Sequence, residues 1–346
     1  MGDEKTTAAD EAVRSPGSEA EATGAAPESE TVDGGRSSSK KHLFLLLKIG
    51  IAVGAYWLIF RKILGRDGVD ALFDRLGNLS WGWVAAGVAM QLVAVGFATF
   101  RWRALLGGQG IRPSWGFLGG SILIARYFGA FTPGGFIGFG GWRIYDVAKH
   151  TGKTARAAAT IGVETFLGQM AMGVVIIAGS ILYGHRFIGT EGVLFVTGVF
   201  TAIILVALVV LARPAVFLWL ARYLPAAVRI RVQTLIDAVR AYEGKGLLLV
   251  KAFTLGVGVH AFNGLIYVCA SRALGVELSV GEVFFASNLQ ILATILPTSI
   301  NGLGLREMAA VALYTSPAIG LEESVAVLIP LVGYVLCEMT VSACGG

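Results

Sequence analysis

Past residue 40 the apolar residues come in long unbroken blocks, without the three-to-four spacing of a soluble amphipathic helix. The blocks lie at about 42–60, 81–100, 114–131, 157–183, 191–211, 247–270, 280–296 and 322–344. Most approach the ~20 residues that a helix needs to cross the hydrocarbon core. The pattern predicts an all-α polytopic membrane protein. Trp81 and Trp83 open the second block and Arg101-Trp102-Arg103 close it, side chains suited to the membrane–water interface. Between the fifth and sixth blocks, the basic segment 213–245 predicts one or two helices lying in the interface.

Two blocks run into the same punctuation. Pro133-Gly134-Gly135-Phe136-Ile137-Gly138-Phe139-Gly140 and Pro297-Thr298-Ser299-Ile300-Asn301-Gly302-Leu303-Gly304 both read P-x4-G-x-G, 164 residues apart. Arg143 follows one and Arg306 the other. Breaking a membrane helix frees backbone N–H and C=O groups at several kcal/mol each, so such breaks survive inside protein or beside a water-filled cavity. A matched pair in two halves of a chain points to a transporter-type binding site.

Charge then decides the threading. With the N-terminus cytoplasmic and both broken segments crossing fully, 143–156 and 213–251, the latter with seven Lys/Arg, would face outward. That violates the positive-inside rule. A re-entrant first hairpin puts both inside and leaves only 61–75 misplaced. Three full spans then separate the two hairpins, so they enter from opposite faces. The expected architecture is about six full spans plus two opposed re-entrant hairpins, an inverted repeat with halves at about 81–183 and 247–344. The breaks at Pro133 and Pro297 would approach each other at mid-membrane.

Composition supports the membrane reading: 55% of residues are hydrophobic and 15% charged, against about 25% charged in soluble domains. Residues 1–39 differ. They hold nine acidic and three basic residues and no aromatic one, the composition of a disordered, cytoplasmic acidic tail. The remainder, 40–346, then carries about +11 of a net +5, an excess suited to topology or anionic lipid rather than to nucleic acid. The expected location is the cell (inner or plasma) membrane. Cys269, Cys337 and Cys344 lack metal spacing and fit apolar filler. With no catalytic motif and no polar stretch long enough for a soluble catalytic domain, neither enzyme chemistry, a cofactor nor a metal is expected.

A helix restarting inside a membrane offers free N–H groups and the positive end of its dipole to an anion. Guanidinium beside it binds phosphate bidentately. The candidate phosphate ligands are therefore Arg306 with Asn301, Gly302 and Gly304, and Arg143 with Gly138 and Gly140. Alternatively, Arg306 pairs with Glu307 or another buried acid and only holds the fold. Arg126, Glu164, Glu307 and Glu338 are the other charges expected at depth, as cavity ion pairs. Arg126–Glu164, Arg143–Glu164 and Glu338–Arg306 are all open pairings. His260, Asn263, Gln169 and Asn288 fit interhelical hydrogen bonds.

The segment Leu296-Pro297-Thr298-Ser299-Ile300-Asn301-Gly302-Leu303-Gly304-Leu305-Arg306-Glu307 resembles the LPxSxxGxGxRE signature of the lysylphosphatidylglycerol synthase transmembrane (flippase-like) family. Arg101-Trp102-Arg103-Ala104-Leu105-Leu106 and the first Pro/Gly run through Tyr145 are similar to it too, and the resemblance covers roughly 42–346. The chain departs from the family at Glu164-Thr165, where an acid–arginine pair is usual, and at Gly141-Trp142, where an acid usually precedes the arginine. The resemblance implies a lipid-translocating protein whose partners are an anionic phospholipid or glycolipid. It also allows a non-catalytic membrane partner that presents lipid to a separate glycosyl- or aminoacyl-transferase. The family's lysyl-transfer chemistry belongs to a separate soluble domain, so no synthase activity is expected of this chain.

Overall fold

The structure is a computed structural model that describes residues 75–131, 135–213, 223, 225–294 and 304–346. The acidic tail, the first apolar block, Pro133, Pro297, Asn301 and Gly302 lie outside the described residues. Among the described residues every regular element is a helix. In chain order these are α1 (Trp81–Gly108), α2 (Trp115–Phe131), α3 (Gly135–Thr151), α4 (Thr154–Gly179), a π-helical turn π1 (Ser180–Gly184) and α5 (His185–Ala212). There follow α6 (Ala226–Arg240), α7 (Gly246–Ala273), α8 (Val280–Ala293), α9 (Leu305–Tyr314), α10 (Glu323–Leu331), π2 (Val332–Met339) and α11 (Thr340–Ala343).

Among the described residues, four stretches are long and apolar enough to cross a membrane: Trp81–Gly108, Thr154–Val209, Gly246–Ala273 and Glu323–Ala343. The second is 56 residues long, about 84 Å at helical rise, far more than one bilayer core. Gly189 interrupts it with φ 65° and ψ 176°, a conformation that glycine alone adopts cheaply. The chain doubles back there: a Cβ on Gly173 would stand 3.1 Å from the ring of Phe200. The reversal falls within the polar gap expected between the fourth and fifth blocks.

One boundary differs from expectation. Arg101-Trp102-Arg103 does not end the helix, because α1 continues to Gly108, and both Arg101 and Trp102 are buried against protein. Their polar atoms and ring face other helices, which removes the reason for an interfacial position. Trp81 and Trp83 remain exposed.

α1 and α7 form the central pair. Each has 28 residues and they begin 165 positions apart. Glycines let them approach: a Cβ on Gly258 would strike Phe97, and one on Gly87 would stand 3.4 Å from the Cys269 Cβ. Phe97 and Phe262 meet with ring centroids 5.3 Å apart. Each central helix is followed by a shorter helix, a Pro/Gly stretch, a second shorter helix and then a long apolar segment. α6 docks on α4 through Ala238, which faces Gly162. Beyond α6, Tyr242 pins the turn by donating its hydroxyl to the Leu105 carbonyl at 2.9 Å, beside Thr160 at 3.1 Å. Burial pushes the Tyr242 phenol up to about 12.

Candidate functional site

Two clusters hold Arg101, Arg143, Glu164, Arg306 and Glu307, five of the buried charged residues among those described; buried Glu282 pairs separately with Arg186. In the first, Glu164 of α4 receives two guanidinium groups. Arg101 of α1 donates from Nη2 to Oε1 at 2.9 Å and from Nε at 3.3 Å. Arg143 of α3 donates from Nη2 to Oε2. Glu164 and Arg143 are each 3% exposed. The Arg143 guanidinium also lies over the rings of Trp102 at 4.2 Å and Phe139 at 5.0 Å, where the ring faces add attraction. Arg101 reaches Glu164 through a notch of two glycines. A Cβ would stand 3.3 Å from its Nη1 at Gly168 and 3.0 Å at Gly256. His260 closes the same notch by bonding the Gly168 carbonyl at 3.1 Å, an interhelical bond as expected.

Of the pairings left open for Glu164, the structure makes Arg143–Glu164, and Arg126 goes elsewhere. Glu164, which lacks an arginine directly after it in sequence, also pairs with Arg101, 63 residues earlier. Gly138 and Gly140 do not form a loop of free amides, because α3 already begins at Gly135. Arg143 is therefore the ninth residue of its helix, more than two turns from the N-terminus. Packing against α2 and α4 has overridden the low helix propensity of the glycine run.

The second cluster is built differently. Gly304 takes φ 84°, in the left-handed region that favours glycine, and turns the chain into α9. Its N–H donates to Glu307 Oε2 at 2.7 Å, so Glu307 caps its own helix. Arg306 is the second residue of α9 and 4% exposed. Its guanidinium lies 3.9 Å over the Tyr334 ring, and Nη1 donates to the Tyr267 hydroxyl at 3.4 Å. That hydroxyl donates onward to Glu338 Oε1 at 2.7 Å. From the other half of the chain, Arg126 of α2 stands 3.8 Å from Glu338 Oε2. Gln91 of α1, its amide oxygen turned to the guanidinium, accepts from Arg126. Glu338 and Tyr334 both ride on π2. Pro330 just before it withholds one N–H from the helical ladder, and the wider turn follows.

Glu338 thus meets Arg126 and Tyr267 directly, with Arg306 within electrostatic reach. Among the members not read from the sequence as site residues are Arg101, Gln91, Trp102, Tyr267 and Tyr334. One signal for them exists in the numbering. Trp102 beneath Arg143 and Tyr267 beside Arg306 are 165 positions apart, the α1-to-α7 offset. Asn288 does not bridge helices; its amide bonds the Phe284 carbonyl of its own helix. Gln169 is exposed. Among the described residues no group of His, Cys, Asp and Glu could hold a metal ion.

The family profile described as Lysylphosphatidylglycerol synthase TM region matches residues 45–336. The chain belongs to this family. The membership makes it a multi-pass membrane protein concerned with lipid, in agreement with the candidate spans. The matched segment contains Arg101, Arg143, Glu164, Arg306 and Glu307, and stops two residues short of Glu338. A search of the curated proteins returned no match.

Proposed function

We propose that the protein moves a phosphate-bearing lipid or glycolipid between the leaflets of the cell membrane. The head group passes along a polar path beside the two Pro/Gly stretches, and the acyl tails stay in the bilayer. The observation that carries this reading is Arg306: a buried guanidinium in the first turn of a helix that opens directly after a Pro/Gly stretch. Helix N-terminus and guanidinium together form an anion site, and the fork geometry of arginine fits phosphate. Family membership supplies the lipid.

The reading includes six spans, two opposed hairpins and a cytoplasmic N-terminus. The reversal at Gly189 and the recurring order of helices around α1 and α7 support it. No covalent chemistry is assigned to the chain. Reconstituted into proteoliposomes with a fluorescent phospholipid, the full chain should translocate lipid. Arg306→Ala should abolish that while inserting and folding normally. Unchanged translocation by Arg306→Ala contradicts the assignment. A wild-type chain that transports nothing but co-purifies with a transferase points instead to lipid presentation.

A further inference from the structure

The formal charges of the second cluster balance. Among the described residues, Arg126 and Arg306 bring two positive charges and Glu307 and Glu338 two negative ones. A phosphodiester arriving at Arg306 would leave one negative charge in excess. In a membrane interior such a charge is costly and is met by a partner or by protonation.

The two acids are not equally free to answer. Glu307 is 1% exposed and its Oε2 is held by the Gly304 N–H at the start of α9, away from water, although its Oε1 has no hydrogen-bond partner. The Glu338 side chain is 19% exposed, and its contact with Arg126 at 3.8 Å is longer than a hydrogen bond. Its close partner is the Tyr267 hydroxyl at 2.7 Å, and a hydroxyl can donate or accept. Tyr267 from α7, Arg126 from α2, Arg306 from α9 and Cys337 on its own element stand within electrostatic reach of Glu338; around them, Cys269 neighbours Cys337, Glu307 neighbours Arg306 and Tyr267, and Tyr334 neighbours Arg126 and Arg306.

We propose that the site takes up one proton with each lipid phosphate and that Glu338 is the acceptor. The inference rests on the assignment of lipid phosphate to Arg306. A proton from water binds a Glu338 carboxylate oxygen, and the phosphate oxygens take over donors that served the carboxylate. The Tyr267 hydroxyl then turns to accept from the neutral acid and donate to phosphate. No bond in the lipid breaks. Lipid binding is thereby tied to pH.

The test uses the full chain in phosphatidylcholine nanodiscs, titrated with dioctanoyl phosphatidylglycerol across the neutral range. Wild type should lose about tenfold in affinity for each pH unit over the range in which a proton is taken up on binding. A pH dye in weak buffer should report one proton taken up per lipid bound. Glu338→Gln should bind with no pH slope and no proton uptake, and Glu338→Asp should restore both. A wild-type affinity flat in pH, with binding still abolished by Arg306→Ala, overturns the proposal and leaves the phosphate assignment standing. A slope retained by Glu338→Gln also overturns it. Binding untouched by Arg306→Ala removes the assignment on which both stand.

Discussion

Arg143 and Arg306 each lie on the helix that follows a Pro/Gly stretch, yet their surroundings differ. Arg143 sits two turns inside its helix and shares one carboxylate with Arg101, under two aromatic rings. Arg306 sits in the first turn and leads through Tyr267 and Glu338 to Arg126, a ladder that joins both halves of the chain. The first arrangement sets two buried guanidinium groups on one buried carboxylate, with Arg101 Nη1 and Arg143 Nε left without a hydrogen-bond partner. The second ends on an acid that is partly open, at 19% exposure against 3% for Glu164. Under the proposed function, the same order of helices holds a buried ion triad in one half and an exchangeable anion site in the other.

The contrast is broken most violently at Glu164. Replacing it with Ala strands two buried arginines, and losing one partner of a buried ion pair costs about 3–5 kcal/mol. Thermal unfolding in detergent should show a large loss of stability, well beyond that of Glu338→Gln. Next comes the glycine notch. Gly256→Ala puts a methyl group 3.0 Å from Arg101 Nη1 and 3.1 Å from Ala171. Overpacking of this kind costs about 1–3 kcal/mol, so a clear drop in melting temperature is expected, with phosphate binding at Arg306 preserved in the folded fraction. The smallest effect concerns the Tyr242 anchor. Its folded value, about 12, lies above the ordinary 10, so its contribution is present below pH ~10 and lost as pH rises toward ~12. Tyr242→Phe should remove that alkaline sensitivity in pH-dependent unfolding.

The spans were legible because hydrocarbon imposes a length, and the apolar blocks at 81–100, 157–183, 191–211, 247–270 and 322–344 each fall on a helix. Arg143–Glu164 was legible as one option, since both are costly charges on neighbouring segments. Arg101 was not. An arginine at the end of an apolar block reads as an interface residue, and only the packing of α1 on α4 shows that it is buried. Tyr267 and Tyr334 were hidden in the same way, because inside an apolar block a tyrosine looks like filler until its hydroxyl finds a partner. Arg126 reached Glu338 rather than Glu164 because the last helix crosses the chain's first half, a contact 212 residues long in sequence. The glycine run at 138–141 misled for the opposite reason: its local propensity favours a break, and tertiary packing made it helix.

The central claim is that the two arginines do different work, and paired lysine variants test it most directly. Lysine keeps the charge and removes the bidentate fork. Translocation per folded molecule in proteoliposomes should be retained by Arg143→Lys, whose melting temperature falls, and lost in Arg306→Lys, whose melting temperature falls less. Equal loss of translocation in both variants, or loss confined to Arg143→Lys, would contradict the account.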